Sequence, residues 1–294
     1  MATLHSPEWT AEDSRGEGDR GLATRLGDHF SKVSARYRNL RDLDLGAVGV
    51  ISEVLARTAD PGRAMRLLDV ATGSGRYLDA ISHSLASIFR LEVAPVGLDL
   101  CPAMLTQAHL RNSPAGPHAQ QLVGTVEALP FQTNSCDVMT CFNAVHHVDL
   151  AQFAGEASRV LTSSGQLVIY TRTPEQNRRT VWGQYFPEFA TRETRLHGVH
   201  EVQAALQATG AYTSVHVQPV TWTVTTSLAR LVEQATHFHY STFRLYPDDA
   251  LRAAIGTFCQ RVCHAFRNLT RITYDNDHLL VIAQRNVLPH GHHC

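Results

Sequence analysis

The chain has 294 residues, 44% of them hydrophobic and 18% charged, which suits one α/β domain carrying an insertion or a small cap. Its 26 basic and 27 acidic residues leave a formal net charge of -1, which argues against a dominant electrostatic grip on nucleic acid or an anionic membrane surface. Met1 to Arg20 lacks a signal peptide's apolar core, and no later stretch is long and apolar enough to span a bilayer. A cytoplasmic protein is therefore expected, with its six cysteines reduced.

Residues 1–22 mix charged and small side chains and read as a disordered arm, leaving a single domain over 23–288 and a loose tail at 289–294. Phe30, Val33, Tyr37 and Leu40, then Val48, Ile51, Val54 and Leu55, recur at helical spacing, and Asp60-Pro61-Gly62 closes that region as a turn. Arg66–Val70 reads as a buried strand, followed by the turn Ala71-Thr72-Gly73-Ser74-Gly75 and a helix through Tyr77, Ile81 and Leu85. The alternation repeats: strand Val93–Leu100, helix Pro102–Leu110, strand Gln121–Gly124, strand Asp137–Asn143, helix Ala151–Leu161 and strand Gly165–Tyr170. Strand and helix alternating in this way predict a mostly parallel sheet covered on both faces, with its core at 63–172.

After Tyr170 the rhythm breaks. Thr173-Pro174 can open a helix, and an aromatic segment follows with Trp182, Tyr185, Phe186 and Phe189. His200–Thr209 reads as a sheet-covering helix ended by Gly210, and Val215–Thr225 as a strand. Leu228–Phe266 reads as two helices joined by an aromatic link, and Asp277–Arg285 as a final strand. The stretches 173–197 and 226–270 are expected to form a helical cap over a substrate site.

Asp69-Val70-Ala71-Thr72-Gly73-Ser74-Gly75 lies between a buried strand and a helix, where glycines let the backbone approach a ligand and aim helix N-terminal amides at it. Asp99 ends the second strand, where such folds place an acid against ribose hydroxyls; capping the helix that follows is the structural alternative. The third strand runs into Gly124–Phe131, whose backbone can border an adenine. All three segments fall at the carboxyl ends of parallel strands, where open α/β sheets bind ligands.

Here the sequence resembles a known family. Leu68–Gly75 is similar to the first motif of the class I, Rossmann-like S-adenosylmethionine-dependent methyltransferases, and Gly97–Leu105 to their second. Glu127–Phe131 followed by Ser135–Val138 resembles the third and fourth. Arg159-Val160-Leu161 leading to Gly165–Ile169 resembles the helix and loop before the fifth strand. The flavour is that of the quinone-biosynthesis and small-molecule group, and the likeness runs from about Phe30 to Arg172.

The resemblance implies S-adenosyl-L-methionine as cofactor and S-adenosyl-L-homocysteine as product. Asp69, Ala71, Thr72, Gly73, Ser74 and Gly75 would hold its amino-acid part, and Asp99 its ribose. Leu100 and Met104 would lie beside the adenine, Thr125, Val126 and Glu127 on its other side, with Asn143 and Ala144 near the methionine moiety. The family often has glycine where Ala71 stands, and a methyl group there calls for a negative φ. It also often has aspartate where Thr125 stands.

On the acceptor side, His146 and His147 follow strand four and are candidates for a base or an acceptor-orienting role. Tyr170 and Arg172 end strand five and are expected to face the cleft, Arg172 either pairing with an acidic substrate group or capping the next helix. Trp182, Tyr185, His239 and Tyr240 are the expected cap contacts to a small-molecule substrate, and Tyr37 can fold over the cofactor or pack on the sheet. Cys259, Cys263 and His264, and separately His290, His292, His293 and Cys294, form no recognised metal spacing, so no metal is expected.

Other readings, a peptide or protein methyltransferase and a metal-dependent catechol-type O-methyltransferase among them, fit the residues less well. A nicotinamide oxidoreductase would space its glycines as G-x-G-x-x-G. Nucleic-acid modification lacks support, since Asn143-Ala144-Val145 is not the Asn-Pro-Pro-aromatic element of base amino-methyltransferases. A non-catalytic relative binding the cofactor or a partner protein is the alternative from a different class. A monomer or homodimer is expected.

Overall fold

A computed structural model describes residues 30, 31, 33–35, 37, 40–60, 62–109 and 117–285. The expected arm (1–22), the tail (289–294) with its histidines and Cys294, Pro61, and Leu110 at the end of the helix expected over Pro102–Leu110 lie outside them. Seven strands, β1 (Met65–Val70), β2 (Val93–Asp99), β3 (Gln120–Val123), β4 (Cys136–Phe142), β5 (Leu161–Thr171), β6 (Tyr212–Thr226) and β7 (Ile272–Arg285), form one sheet in the order β3-β2-β1-β4-β5-β7-β6. The first five pair in parallel, whereas β7 runs antiparallel to both β5 and β6. The chain is thus α/β with a mostly parallel sheet, as its alternating pattern predicts.

The helices are α1 (Leu45–Ala56), α2 (Arg76–Ser87), α3 (Pro102–His109), α4 (Leu150–Val160), α5 (Pro174–Arg179), α6 (Val181–Tyr185), α7 (Phe189–Arg192), α8 (Val199–Ala208), α9 (Leu228–Thr236) and α10 (Asp248–Ala265). Among the described residues no helix is long and apolar enough to cross a membrane.

Strand alternation divides the core into two layers. Leu68, Val70, Met139, Cys141, Leu167, Ile169, Leu279 and Val281 face α4 and α8, together with Phe153, Ala157, Val202 and Leu206. Met65, Leu67, Val138, Phe142, Val168, Tyr170 and Leu280 face α1 and α2, against Ile51, Leu55, Leu78 and Ile81. Both faces of the central strands are dry, so those strands read as continuous apolar runs.

β6 and β7 are longer than their apolar segments. Their ends beyond the core are joined by register partners that hydrogen-bond across the ladder: Thr221 to Asp277 at 2.7 Å and Thr223 to Asp275 at 3.0 Å. Side-chain pairing rather than burial carries that extension.

A third apolar cluster belongs to the segments after β5 and between β6 and β7. The Trp182 ring stacks on Phe258 with centroids 5.1 Å apart and meets Phe243 edge-on at 5.1 Å. Phe186, Phe189, Leu231, Leu251 and Val262 complete it. Thr173 starts this region with a capping box: its hydroxyl accepts from Gln176 N, and Gln176 Oε1 accepts from Thr173 N, with Pro174 at the first position.

Candidate active site

The glycine-rich turn links β1 to α2 at the carboxyl edge of the sheet. Asp69 is 1% exposed. Its Oδ2 accepts from Thr72 Oγ1 at 2.6 Å and its Oδ1 from Thr140 Oγ1 at 2.7 Å. Thr140 is its register partner on β4, which is why the two meet on the same face. Burial pushes the Asp69 carboxyl up to about 7, against the pull of the two hydroxyls.

Backbone beyond Asp69 coils through the left-handed region, with φ of 51° at Ala71, 58° at Gly73 and 68° at Gly75. The glycines take this conformation freely, and Gly75 sits at the N-cap of α2. Ala71 does not have that freedom. The negative φ expected there is not adopted, so its methyl group carries strain of about 1–2 kcal/mol. Ala71→Gly is accordingly expected to stabilise the protein by about 1 kcal/mol, since relief of strain outweighs the added freedom of the unfolded chain. Urea melts of the two proteins measure it; a loss of stability would mean that the methyl group's packing outweighs its strain.

Asp99 closes the turn from β2. Its Oδ2 accepts from Gly73 N at 2.7 Å and its Oδ1 from Cys101 N at 2.8 Å. The carboxylate thus ties the glycine turn to the start of α3, and burial holds its pKa above the ordinary value. Gly124 N donates to Asp99 O at 3.1 Å, bringing the segment after β3 alongside. In that segment Thr125 Oγ1 donates to Glu127, whose other oxygen accepts from Asp149 N at 3.3 Å, and Val126 is buried. Met104 is buried beside Gly73, while Leu100 is 39% exposed. Ser74 Oγ is buried without a hydrogen-bond partner.

At the end of β4, Asn143 also adopts a positive φ, 53°, a conformation asparagine tolerates better than most residues. Its N–H donates to Tyr170 O at 2.7 Å. Ala144 is buried in the core layer below. Next to Asn143 opens a cleft of about 580 Å3, part of it open to solvent. Tyr37, His146, His147, Arg172, His239 and Tyr240, all picked from sequence, line it.

Residues that sequence reasoning missed also line it: Phe30, Arg41, Thr171, Asn177, Glu193 and Thr242. They carry no motif, because they reach the cleft from four separate stretches of chain. Phe30 packs edge-on against His147 at 5.9 Å, and Ser31 Oγ lies 3.4 Å from Cys101 Sγ. The segment before α1 therefore bridges the ends of β2 and β4.

Three expected contacts lie elsewhere. Tyr170 points away from the cleft into the layer beneath α1, stacked on His278 at 4.5 Å, because strand alternation puts it on the face of Phe142 and Leu280. Its hydroxyl donates to Asp44 Oδ2 at 2.5 Å and accepts from Trp222 Nε1 at 3.0 Å. Tyr170→Phe is expected to cost about 2 kcal/mol by leaving the Asp44 carboxylate short of a donor, which thermal melts would record. Trp182 is the centre of the aromatic cluster described above, and Tyr185 packs on Phe266 beside a separate depression.

Electrostatics set the cleft histidines apart. Burial, followed by Arg195 and Arg41, lowers His146 to about 3. Burial and then Arg41 hold His239 well below its ordinary value. As so weak a base, His146 is a neutral hydrogen-bonding group at pH 7 rather than a proton acceptor.

The profile of the family described as "Methyltransferase domain" matches residues 68–169. An uncharacterized methyltransferase of Mycobacterium bovis is 26% identical over 163 residues, 55% of this chain and 60% of the relative. The ubiquinone/menaquinone biosynthesis C-methyltransferase UbiE of Dinoroseobacter shibae is 30% identical over 166 residues, 53% of this chain and 63% of the relative. The chain thus spans about 60% of the length of these curated relatives. Among solved structures, the YcgJ protein of Bacillus subtilis is similar with a TM-score of 0.51 at 19% identity, covering 80% of this chain and 97% of that one. That likeness is one of fold.

Proposed function

We propose that the protein, whose residues 68–169 match the family described as "Methyltransferase domain", transfers a methyl group from S-adenosyl-L-methionine to a small organic molecule. The observation that carries this reading is that β1 and its neighbour β4 end side by side, one running into the glycine turn and the other into Asn143 on the wall of the cleft. On one side stands the turn from Asp69 to Gly75 clasped by Asp99; on the other, the cleft lined by Arg41, His146, Arg172 and Tyr240.

The residues present fit the cofactor. The turn passes through the left-handed region at the start of α2, and Ser74 Oγ is a buried hydroxyl in need of a partner. Each Asp99 oxygen has a lone pair beyond the one its backbone amide uses, suited to a ribose hydroxyl. Asp69 would sit at the amino-acid part, Thr125 to Glu127 beside the adenine. When bound, the cofactor supplies an electrophilic methyl group on sulfur.

What the chain itself must do is modest. Direct displacement needs alignment above all, which can lower a barrier by about 7–11 kcal/mol in favourable cases. His147, Arg172 and Tyr240, which line the cleft, orient the acceptor. In its ionised form, which prevails above about pH 7, Asp69 favours the cationic donor over its neutral product through charge alone.

Calorimetric titration of the purified protein with S-adenosyl-L-homocysteine tests the reading. Saturable binding in the micromolar range, about 8 kcal/mol, is expected, followed by label transfer from radiolabelled cofactor to one member of a small-molecule panel. No heat of binding from well-folded protein would sink it.

A further inference from the structure

Two arginines dominate the acceptor cleft, and neither forms an ion pair among the described residues. Arg172 is 6% exposed. Its Nε donates to Asp277 O at 3.0 Å and its Nη2 to Asn276 Oδ1 at 2.6 Å, with His278 Nε2 at 3.2 Å. All three are neutral acceptors. Nη1 reaches only the Tyr240 hydroxyl, at a long 3.4 Å. The Asp277 carboxylate is committed to Arg179 at 2.7 Å and Thr221 at 2.7 Å.

Arg41 also lines the cleft. Its Nε donates to His239 O at 3.0 Å, and its guanidinium lies 4.6 Å from the Tyr240 ring centroid. Arg172 lies 5.7 Å from the same ring. One aromatic ring thus holds both cations at the cleft. Glu193, the carboxylate among the lining residues, is spent: Arg195 donates to both its oxygens at 2.8 and 2.5 Å, and Thr242 donates at 2.6 Å.

A guanidinium cannot shed its proton, and a buried charge left unpaired is costly. A ligand anion supplies what the protein withholds, and a planar oxyanion matches the guanidinium fork. Around the pair, Asn177 Nδ2, His146 Nδ1 and His239 Nδ1 are buried without hydrogen-bond partners. Burial, with Arg41 adding to it, holds both histidines neutral, so the two guanidiniums carry the positive charge of the cleft lining.

We propose that the methyl acceptor is an organic anion whose carboxylate or phosphate is bound by Arg172 together with Arg41. The proposal rests on the methyltransferase reading for the word acceptor and on the two arginines for the word anion. The aromatic lining of Phe30, Tyr37 and Tyr240 suits an unsaturated or ring-bearing body behind the charged group.

Protein saturated with S-adenosyl-L-homocysteine is titrated with benzoate, inorganic phosphate and benzamide. Benzoate or phosphate is expected to bind about tenfold or more tightly than neutral benzamide, and the better of the two names the acid group. Arg41→Gln and Arg172→Gln should each remove about tenfold of that preference while leaving S-adenosyl-L-homocysteine affinity unaltered. Arg41→Gln keeps the test decisive if the buried Arg172→Gln fails to fold.

Normal S-adenosyl-L-homocysteine binding with no preference for either anion would overturn this inference alone. So would an ultraviolet difference spectrum showing Tyr240 as phenolate at neutral pH, absent from Tyr240→Phe, since the arginines would then have an internal counter-ion. Absence of S-adenosyl-L-homocysteine binding counts instead against the function proposed above.

Discussion

Replacement of Asp99 by alanine is expected to weaken S-adenosyl-L-homocysteine binding about 100-fold, close to 3 kcal/mol. The side chain has two tasks. It clamps Gly73 N and Cys101 N, and it offers its remaining lone pairs to the ribose assigned to it. Hydrogen bonds to a charged group contribute about 1.5–3 kcal/mol each, so loss of two accounts for the figure. The freed amides can turn to water at the partly open site, so the fold should survive. Calorimetry gives the affinity and a urea melt the stability; full affinity in the variant would remove Asp99 from the ribose.

The second large effect is one of pH. The folded Asp69 carboxyl titrates near 7, whereas in the unfolded chain it titrates near 3.8. Between those values the folded state binds the extra proton. Its contribution to stability is therefore complete below pH 3.8 and is lost as pH rises towards 7, at up to about 1.4 kcal/mol per pH unit. Asp99, also raised by burial, adds a slope of the same sign.

Asp137 acts the other way, its carboxyl held well below the usual range by Arg63 and Arg66 against the cost of burial, and its effect falls below pH 3.8. Asp69→Asn isolates the first term. Like the protonated acid, the amide can donate once, with one threonine hydroxyl reversing to accept. Urea melts of both proteins from pH 4.5 to 8 should converge at low pH and diverge above it, the variant losing less. Parallel curves would mean that Asp69 stays ionised in the folded protein.

The sheet was legible wherever burial writes itself into sequence. β1, β2, β4 and α4 lie within one or two residues of their expected bounds, because strands dry on both faces are continuous apolar runs and the helices keep a 3.6 period. β7 was underestimated, starting at Ile272 rather than Asp277, because polar residues such as Asp275 pair across the ladder with β6 instead of joining the apolar run. The short helices α6 and α7 left little trace beneath their aromatic side chains.

In the candidate site, the turn and Asp99 could be read because backbone geometry demands those residue types. Ala71 gave no sign of its positive φ, since alanine carries no mark of the conformation imposed on it. Tyr170 was misplaced by one strand face: counting inward from the strand end without the sheet in view could not separate Tyr170 from Thr171. Arg41 and Glu193 join the cleft only through tertiary folding, and nothing local marks either.

The aromatic cluster of Trp182, Phe186, Phe243 and Phe258 is closed by its own two stretches of chain, whereas the clasp of Asp69, Gly73 and Asp99 is drawn from the sheet. Evolution can therefore redraft the stretches that carry Glu193, Tyr240 and Thr242 into the cleft while leaving the clasp intact. Recombination between homologues should transplant a preference for one acceptor when both stretches travel together. Moving one alone splits the cluster, bares its rings and invites aggregation.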